Sequence, residues 1–216
     1  MTLFDALTAQ TRRLGDRPAV TFLDAATGER TELGFATLHN WVSKTANLLV
    51  DALDVGLGSE VRLDSPLHWM VPVVALGTWA TGAGLRLQPG GDATVGHEVD
   101  APTEVDLLIG AGMGGRPSTP VDGEVLTVTD ILAQPDEFVD DPGDEGAWAL
   151  GGRTQATLRE EGMSAEGERI LHAGDRTTEE TLFLLARTLP AGVGVVLARG
   201  FDAAGLRRVA SQEGTA

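Results

Sequence analysis

Cysteine is absent from the 216 residues, and that absence removes disulfides, thiol nucleophiles and every Cys-ligated zinc or iron–sulfur site. It suits a reducing compartment, and a cytoplasmic location is the expectation. Lysine is almost absent too: Lys44 is the only one, and the remaining basic residues are Arg. Many phosphate-handling enzymes need the point charge of a Lys, which an Arg does not reproduce. Basic residues as a whole number 16 against 32 acidic ones, a net charge of −16. A surface of that sign repels a phosphate backbone, so nucleic acid is not an expected partner. Nor is a membrane. Met1 to Asp5 lack a basic stretch running into apolar residues, so no signal peptide is expected. The segment Ser65 to Leu85 has no Asp, Glu, Lys or Arg, but it contains Pro66, His68, Pro72 and three glycines, with Arg62 and Arg86 flanking both ends. That pattern fits a buried helix running into a strand and not a membrane span.

With 42% apolar residues, a chain of this length closes a core without staples. A single domain over residues 1–216 is expected, with an irregular segment at about 90–146. Leu3, Leu7 and Leu14 share a helix face with Phe4 beside them, Thr2 is the N-cap, and Pro18 ends the helix. Ala19 to Leu23 and Thr31 to Leu33 read as a hairpin across the turn Ala25 to Glu29. A long helix follows from Phe35, its apolar positions Leu38, Trp41, Val42, Leu49 and Leu53 spaced mostly by three and four, stopped by Gly56 and Gly58. Glu60 to Leu63, a helix opened by Pro66, and Leu85 to Leu87 make a βαβ unit, which implies a parallel sheet covered by helices. Val105 to Ile109, Val125 to Val128 and the Val-rich Val193 to Ala198 are further strands. Thr177 to Leu189 is a helix with a Thr177/Glu180 capping pattern, and the acidic Gln134 to Glu145 is a solvated connection.

Gly110-Ala111-Gly112-Met113-Gly114-Gly115 satisfies the dinucleotide pattern G-x-G-x-x-G after a strand. That fingerprint also requires a helix to start there, because the pyrophosphate sits on its first amides. Arg116-Pro117-Ser118-Thr119-Pro120 follows, and two prolines three positions apart do not open into a helix interior. The run is expected to be an irregular surface loop. His39, His68, His97 and His172 show no metal-binding spacing, and there is no G-x-S-x-G elbow.

In order and spacing, the pieces Asp16-Arg17-Pro18-Ala19-Val20, Thr31 to Leu38, Ala46-Asn47-Leu48-Leu49, Val55 to Val61, Ser65-Pro66 and Trp79 to Gly84 resemble the start of an adenylate-forming enzyme. That superfamily includes acyl-CoA synthetases, nonribosomal adenylation domains and beetle luciferases. Later pieces keep the family's order. Asp144 to Leu150 resembles the strand entering its phosphate-binding loop, Ile170-Leu171-His172 the segment ending in a His beside the acyl pocket, and Leu189 to Asp202 the helix end, turn and strand that follow. The resemblance implies an α/β fold with a largely parallel sheet flanked by helices, like the first N-terminal subdomain of these enzymes.

The departures bear on function. Where the family has a Ser/Thr/Gly-rich loop ending in Pro-Lys-Gly, this chain has Gly151-Gly152-Arg153-Thr154-Gln155-Ala156, and no Lys follows Lys44. Backbone amides freed by glycine, hydroxyls and a Lys are what cradle a phosphate. The sequence also reaches Ala216 before the family's adenine- and ribose-binding motifs and its C-terminal domain. The resemblance therefore implies a truncated, non-catalytic relative acting as an interaction or ligand-sensing module, with no cofactor. The alternatives are a binder of nucleotide, acyl or pantetheine groups, or half of a two-chain acyl-activating enzyme. ATP or AMP enters only under these, at a relic pocket of Gly151, Gly152, Arg153, Thr154 and His172. A homodimer or protein partner is expected, to cover apolar surface on Ser65 to Leu85 and Val193 to Ala198.

Overall fold

The computed structural model describes residues 1–100, 104–121, 123–139, 146–161 and 169–215. Thr2 caps the first helix, α1 (Leu3–Leu14), in a reciprocal box with Asp5, and Gly15 closes it three residues before Pro18. Pro18 instead opens β1 (Pro18–Asp24), which pairs antiparallel with β2 (Arg30–Gly34). The long helix is α2 (Phe35–Leu53), and its stop is not a glycine: Asp54, at φ 52°, takes the left-handed cap. Asp and Asn tolerate that conformation better than most residues, so Gly56 and Gly58 lie beyond a helix already ended.

The βαβ unit is present as β3 (Glu60–Asp64), α3 (Met70–Ala80) and β4 (Gly84–Arg86), with β3 and β4 parallel. Pro66 does not start the helix; it forms an isolated antiparallel bridge with Arg176, and the helix begins four residues later at Met70. Every residue from Ser65 to Leu85 is buried, which explains the missing charges. Helix α3 packs against α2 with Gly77 at the crossing, where an added Cβ would stand 2.9 Å from Thr45 Cγ2. Among the described residues, no helix is long and apolar enough to cross a membrane.

The stretch read as irregular holds more order than its composition suggests. It contributes β5 (Ala93–His97), β6 (Leu107–Ile109), β7 (Leu126–Thr127) and α4 (Val128–Ala133). Val128, expected to end a strand, is the first residue of α4, because Thr127 and Asp130 form a capping box around it. The next segment is anchored. Lys44 Nζ donates to the carbonyls of Leu132 and Gln134 and pairs with Asp136, Asn47 Nδ2 donates to those of Pro135 and Glu137, and Phe138 meets Phe4 edge-on at 5.8 Å. The connection is solvent-exposed as expected at Pro135, Asp136, Glu137 and Val139, and these bonds tie it to α2. Residues 140–145, including Asp144 and Glu145 of the strand approach, lie outside the described residues.

Seven strands form one sheet in the order β7-β6-β5-β3-β4-β8-β9, where β8 is Trp148–Leu150 and β9 is Arg153–Thr154; only the β8–β9 pair is antiparallel. Four strands form a second sheet, β10-β11-β1-β2, with β10 at Ile170–Ala173 and β11 at Val195–Arg199. The helices α5 (Gln155–Glu160), α6 (Glu179–Thr188) and α7 (Ala203–Glu213) complete the fold. For α6 the cap is Thr178 with Thr181, one residue past the expected Thr177/Glu180 pair. Strand β11 lies between β10 and β1, and Val193 to Ala198 are all buried. The two segments from which a covering partner was inferred are thus buried within the chain itself.

Candidate functional site

The residues that stand where the phosphate loop would be form a tight hairpin. Gly151 and Gly152, at φ 55° and 75°, are the two turn residues between β8 and β9, with Leu150 opposite Arg153 and Trp148 opposite Thr154. A two-residue turn of the I′ type needs positive φ at both positions, so here the glycines serve the turn. Gly151 also lies against α6: a Cβ there would be 3.2 Å from Phe183 Cζ. Thr154 is the N-cap of α5, its hydroxyl accepting the Thr157 N–H at 3.2 Å. Gln155 is only 1% exposed and turned inward. Its Oε1 accepts from Leu3 N–H at 3.1 Å and its Nε2 donates to the Trp79 carbonyl at 2.8 Å.

Arg153, the one cation of the loop, is already engaged. Its guanidinium lies 4.6 Å from the centroid of the Phe183 ring and pairs with Glu161 at 3.5 Å. It borders a cavity of about 660 Å³ whose other walls include His172, Phe183, Leu184, Glu179 and Glu180. His172 projects from β10, and its Nε2 shares a hydrogen bond of 2.9 Å with Thr181 Oγ1. Burial lowers the imidazole's pKa, with Glu180 pulling weakly the other way, so the ring is neutral at pH 7. Arg187 lies on the same wall and donates from Nε to the Glu161 carbonyl at 2.6 Å.

Of the five residues expected to form one pocket, the structure brings together Arg153 and His172. Gly151 and Gly152 border a different hollow, of about 340 Å³, beside Glu60, Leu85 and Trp148. Thr154 is committed to its helix cap. Sequence reasoning missed Glu161, Glu179, Phe183 and Arg187. The last three sit at i, i+4 and i+8 of α6, a spacing that marks one helix face.

A second polar centre escaped notice because its members are far apart in sequence. His68 and His97 are 3% and 1% exposed, with ring centroids 5.1 Å apart, and His68 also meets the Phe22 ring edge-on at 5.2 Å. Burial lowers their pKa values to about 3 for His68 and about 4 for His97, with Arg199 adding repulsion to both. Arg199 bonds the buried Asp24 at 2.7 Å and donates to the Leu67 carbonyl at 3.2 Å. Among the described residues, no three His, Asp or Glu side chains come together to hold a metal ion.

The Gly110–Gly115 run follows β6, and no α-helix starts there; one 3-10 turn, Met113–Gly115, leads into extended Arg116. The expected loop is what forms.

No family model matches the chain. In fold it is similar to a Brucella canis acyl-CoA synthetase at a TM-score of 0.75 and 16% identity, covering 100% of this chain and 46% of that one. A luciferase-like enzyme from the mealworm Zophobas morio gives 0.74 and 12%, covering 100% and 58%. The N-terminal domain of FACL13 from Mycobacterium tuberculosis gives 0.70 and 14%, covering 100% and 61%. The chain thus spans about half the length of these solved proteins, and it shares the fold of the N-terminal part of adenylate-forming enzymes. A Mycobacterium tuberculosis protein described as a TIGR03089 family protein is 31% identical over 223 residues, covering 92% of this chain and 90% of that protein. With the match running through nearly the whole of both sequences, this chain belongs to the TIGR03089 family.

Proposed function

We propose that the chain is a non-catalytic, adenylation-like module that senses a ligand and does not form adenylates. The observation behind this reading is the state of the relic loop: its single cation stacks on Phe183 and pairs with Glu161, and its hydroxyl caps α5. Neither group is turned toward a triphosphate. A nucleotide does not fit here, since Glu161, Glu179 and Glu180 outnumber Arg153 and Arg187 around the cavity. Losing the cationic clamp on a transferring group costs about 3 kcal/mol or more of transition-state stabilisation. ATP–pyrophosphate exchange tests this. The purified protein, offered a panel of carboxylic acids, should give no exchange above a Gly152→Asp variant, and exchange above that baseline would overturn the reading.

The cavity favours one ligand class over the others. Ile170, Leu171, Leu184 and the Phe183 ring add apolar surface beside the three Glu and two Arg of the cavity, and that surface suits an acyl or pantetheine chain. Pantetheine should raise the melting temperature and AMP should not. A nucleotide-induced rise that Arg153→Ala abolishes would return the site to a phosphate binder.

A further inference from the structure

The glycine-rich loop after β6 has a place and a geometry that neither the fold nor the proposed function uses. Within the larger sheet, the chain runs from β3 to β4 on one side and then returns to β5, β6 and β7 on the other. In open parallel sheets, ligands bind outside the carboxyl ends of the strands at such a reversal. Glu98 directly follows β5 and the loop directly follows β6, so both stand at those carboxyl ends.

The loop is built by its own backbone. Gly110 N–H donates to the Gly115 carbonyl at 2.7 Å, Gly112 N–H to that of Arg116 at 2.8 Å, and Gly115 N–H to that of Gly112 at 3.0 Å. It curls so closely that a Cβ on Gly110 would lie 2.0 Å from the Arg116 carbonyl carbon, and one on Gly112 2.6 Å from its oxygen. Gly114 and Gly115 need positive φ, 70° and 76°. None of these constraints involves Glu98.

What Glu98 supplies is an anion. Its Oε2 accepts from Ala111 N–H at 2.8 Å and Ser118 N–H at 2.9 Å. Its Oε1 accepts from Ser118 Oγ at 2.6 Å, Ser118 N–H at 3.0 Å, Thr119 N–H at 3.2 Å and Thr119 Oγ1 at 3.3 Å. Partial burial pushes this carboxyl's pKa up, but the bonds from Ser118 Oγ and the three amides outweigh it and hold the value at about 2. Three amides and two hydroxyls that converge on two oxygens form the donor set that recognises a phosphate group, and Arg116 stands exposed on the same loop. We propose that residues 110–119 are a phosphate-binding loop, separate from the Arg153 cavity, which Glu98 occupies as an internal ligand that an external phosphate must displace.

A tethered competitor acts at an effective concentration in the millimolar range, so the native chain should bind phosphate weakly. Glu98→Gln removes the anionic occupant while keeping its size. The test titrates inorganic phosphate and, separately, glycerol 3-phosphate at constant ionic strength, following the backbone amide resonances of Ala111, Ser118 and Thr119. Those resonances should move at phosphate concentrations at least about ten-fold lower in Glu98→Gln than in the native protein. Tighter binding of the ester would point to a phosphomonoester as the ligand, and tighter binding of the inorganic ion to free phosphate. Should Glu98→Gln perturb resonances far from the loop, Glu98→Ala, which removes the carboxylate outright, replaces it with the same expectation. Equal affinity in native and variant proteins, shifts confined to other residues, or no shift with either probe would overturn the proposal.

Discussion

Replacing Gln155 by Met should destabilise the protein by about 3 kcal/mol, far more than its place beside a surface hairpin suggests. The side chain is buried and links three helices: it begins α5, accepts from the first N–H of α1 and donates to the carbonyl of Trp79 in α3. Met matches it in length, so little cavity opens, and the loss is polar. The Leu3 N–H belongs to the first helical turn, where no intrahelical acceptor exists, so its burial unpaired costs about 1–3 kcal/mol. The Trp79 carbonyl keeps the Gly82 N–H at 3.2 Å, so losing its second donor costs only about 0.5–1.5 kcal/mol. At about 2–4 °C per kcal/mol for a chain of this size, the melting temperature should fall by roughly 6–12 °C. Circular dichroism melts checked by urea denaturation measure both quantities. A Gln155→Met protein within about 0.5 kcal/mol of native would refute the reasoning, since it would mean the two backbone groups find other partners at no cost.

Three further outcomes follow from other parts of the fold. Gly77→Ala should destabilise by about 1–3 kcal/mol because its Cβ would stand 2.9 Å from Thr45, although helix propensity alone favours Ala by about 1 kcal/mol; a stabilised variant in urea would show that α2 and α3 can part freely. Arg199→Met should cost about 3 kcal/mol by removing the counter-charge of the buried Asp24 carboxylate, which keeps the Ala26 N–H and the Thr27 hydroxyl, and an unchanged melting temperature would dismiss that ion pair. Stability should fall as pH drops from about 6.5 toward 4.5. His68 and His97 titrate near 3 and 4 when folded but near 6.5 when unfolded, so in this window the unfolded chain binds more protons. Each histidine contributes a slope of up to about 1.4 kcal/mol per pH unit. Urea midpoints across the window measure it, and Phe in place of His68 should remove one such contribution; a flat profile in the native protein would contradict the assigned burial.

Much of the candidate site was legible only as a list of residues. Arg153 and His172 line one cavity, whereas Thr154 and the two glycines serve a cap and a turn. A short Gly-Gly-Arg-Thr run is compatible with either a phosphate cradle or a hairpin, and the choice depends on whether β9 turns back onto β8. Glu98 was invisible for a related reason: its donors come 13 to 21 positions later, and no local period connects them.

By itself the sequence determined the elements whose signals are local. The Thr2 cap and leucine face fixed α1, apolar spacing fixed α2, and the charge-free stretch announced α3, because caps and helix faces operate over three or four residues. It also determined the parallel βαβ arrangement, since a connection long enough to hold a helix is what a parallel pair requires. Tertiary structure decided the rest. Ala93-Thr94-Val95-Gly96-His97 has weak strand propensity and becomes β5 only because β3 and β6 flank it and satisfy its backbone on both sides. Likewise, the Val193 to Ala198 strand was plain from composition, but whether it faced a partner or lay between β10 and β1 depended on two strands from distant parts of the chain. Pairing across such distances is set by which backbone groups and apolar faces remain unsatisfied after local structure forms, and that is a property of the whole fold.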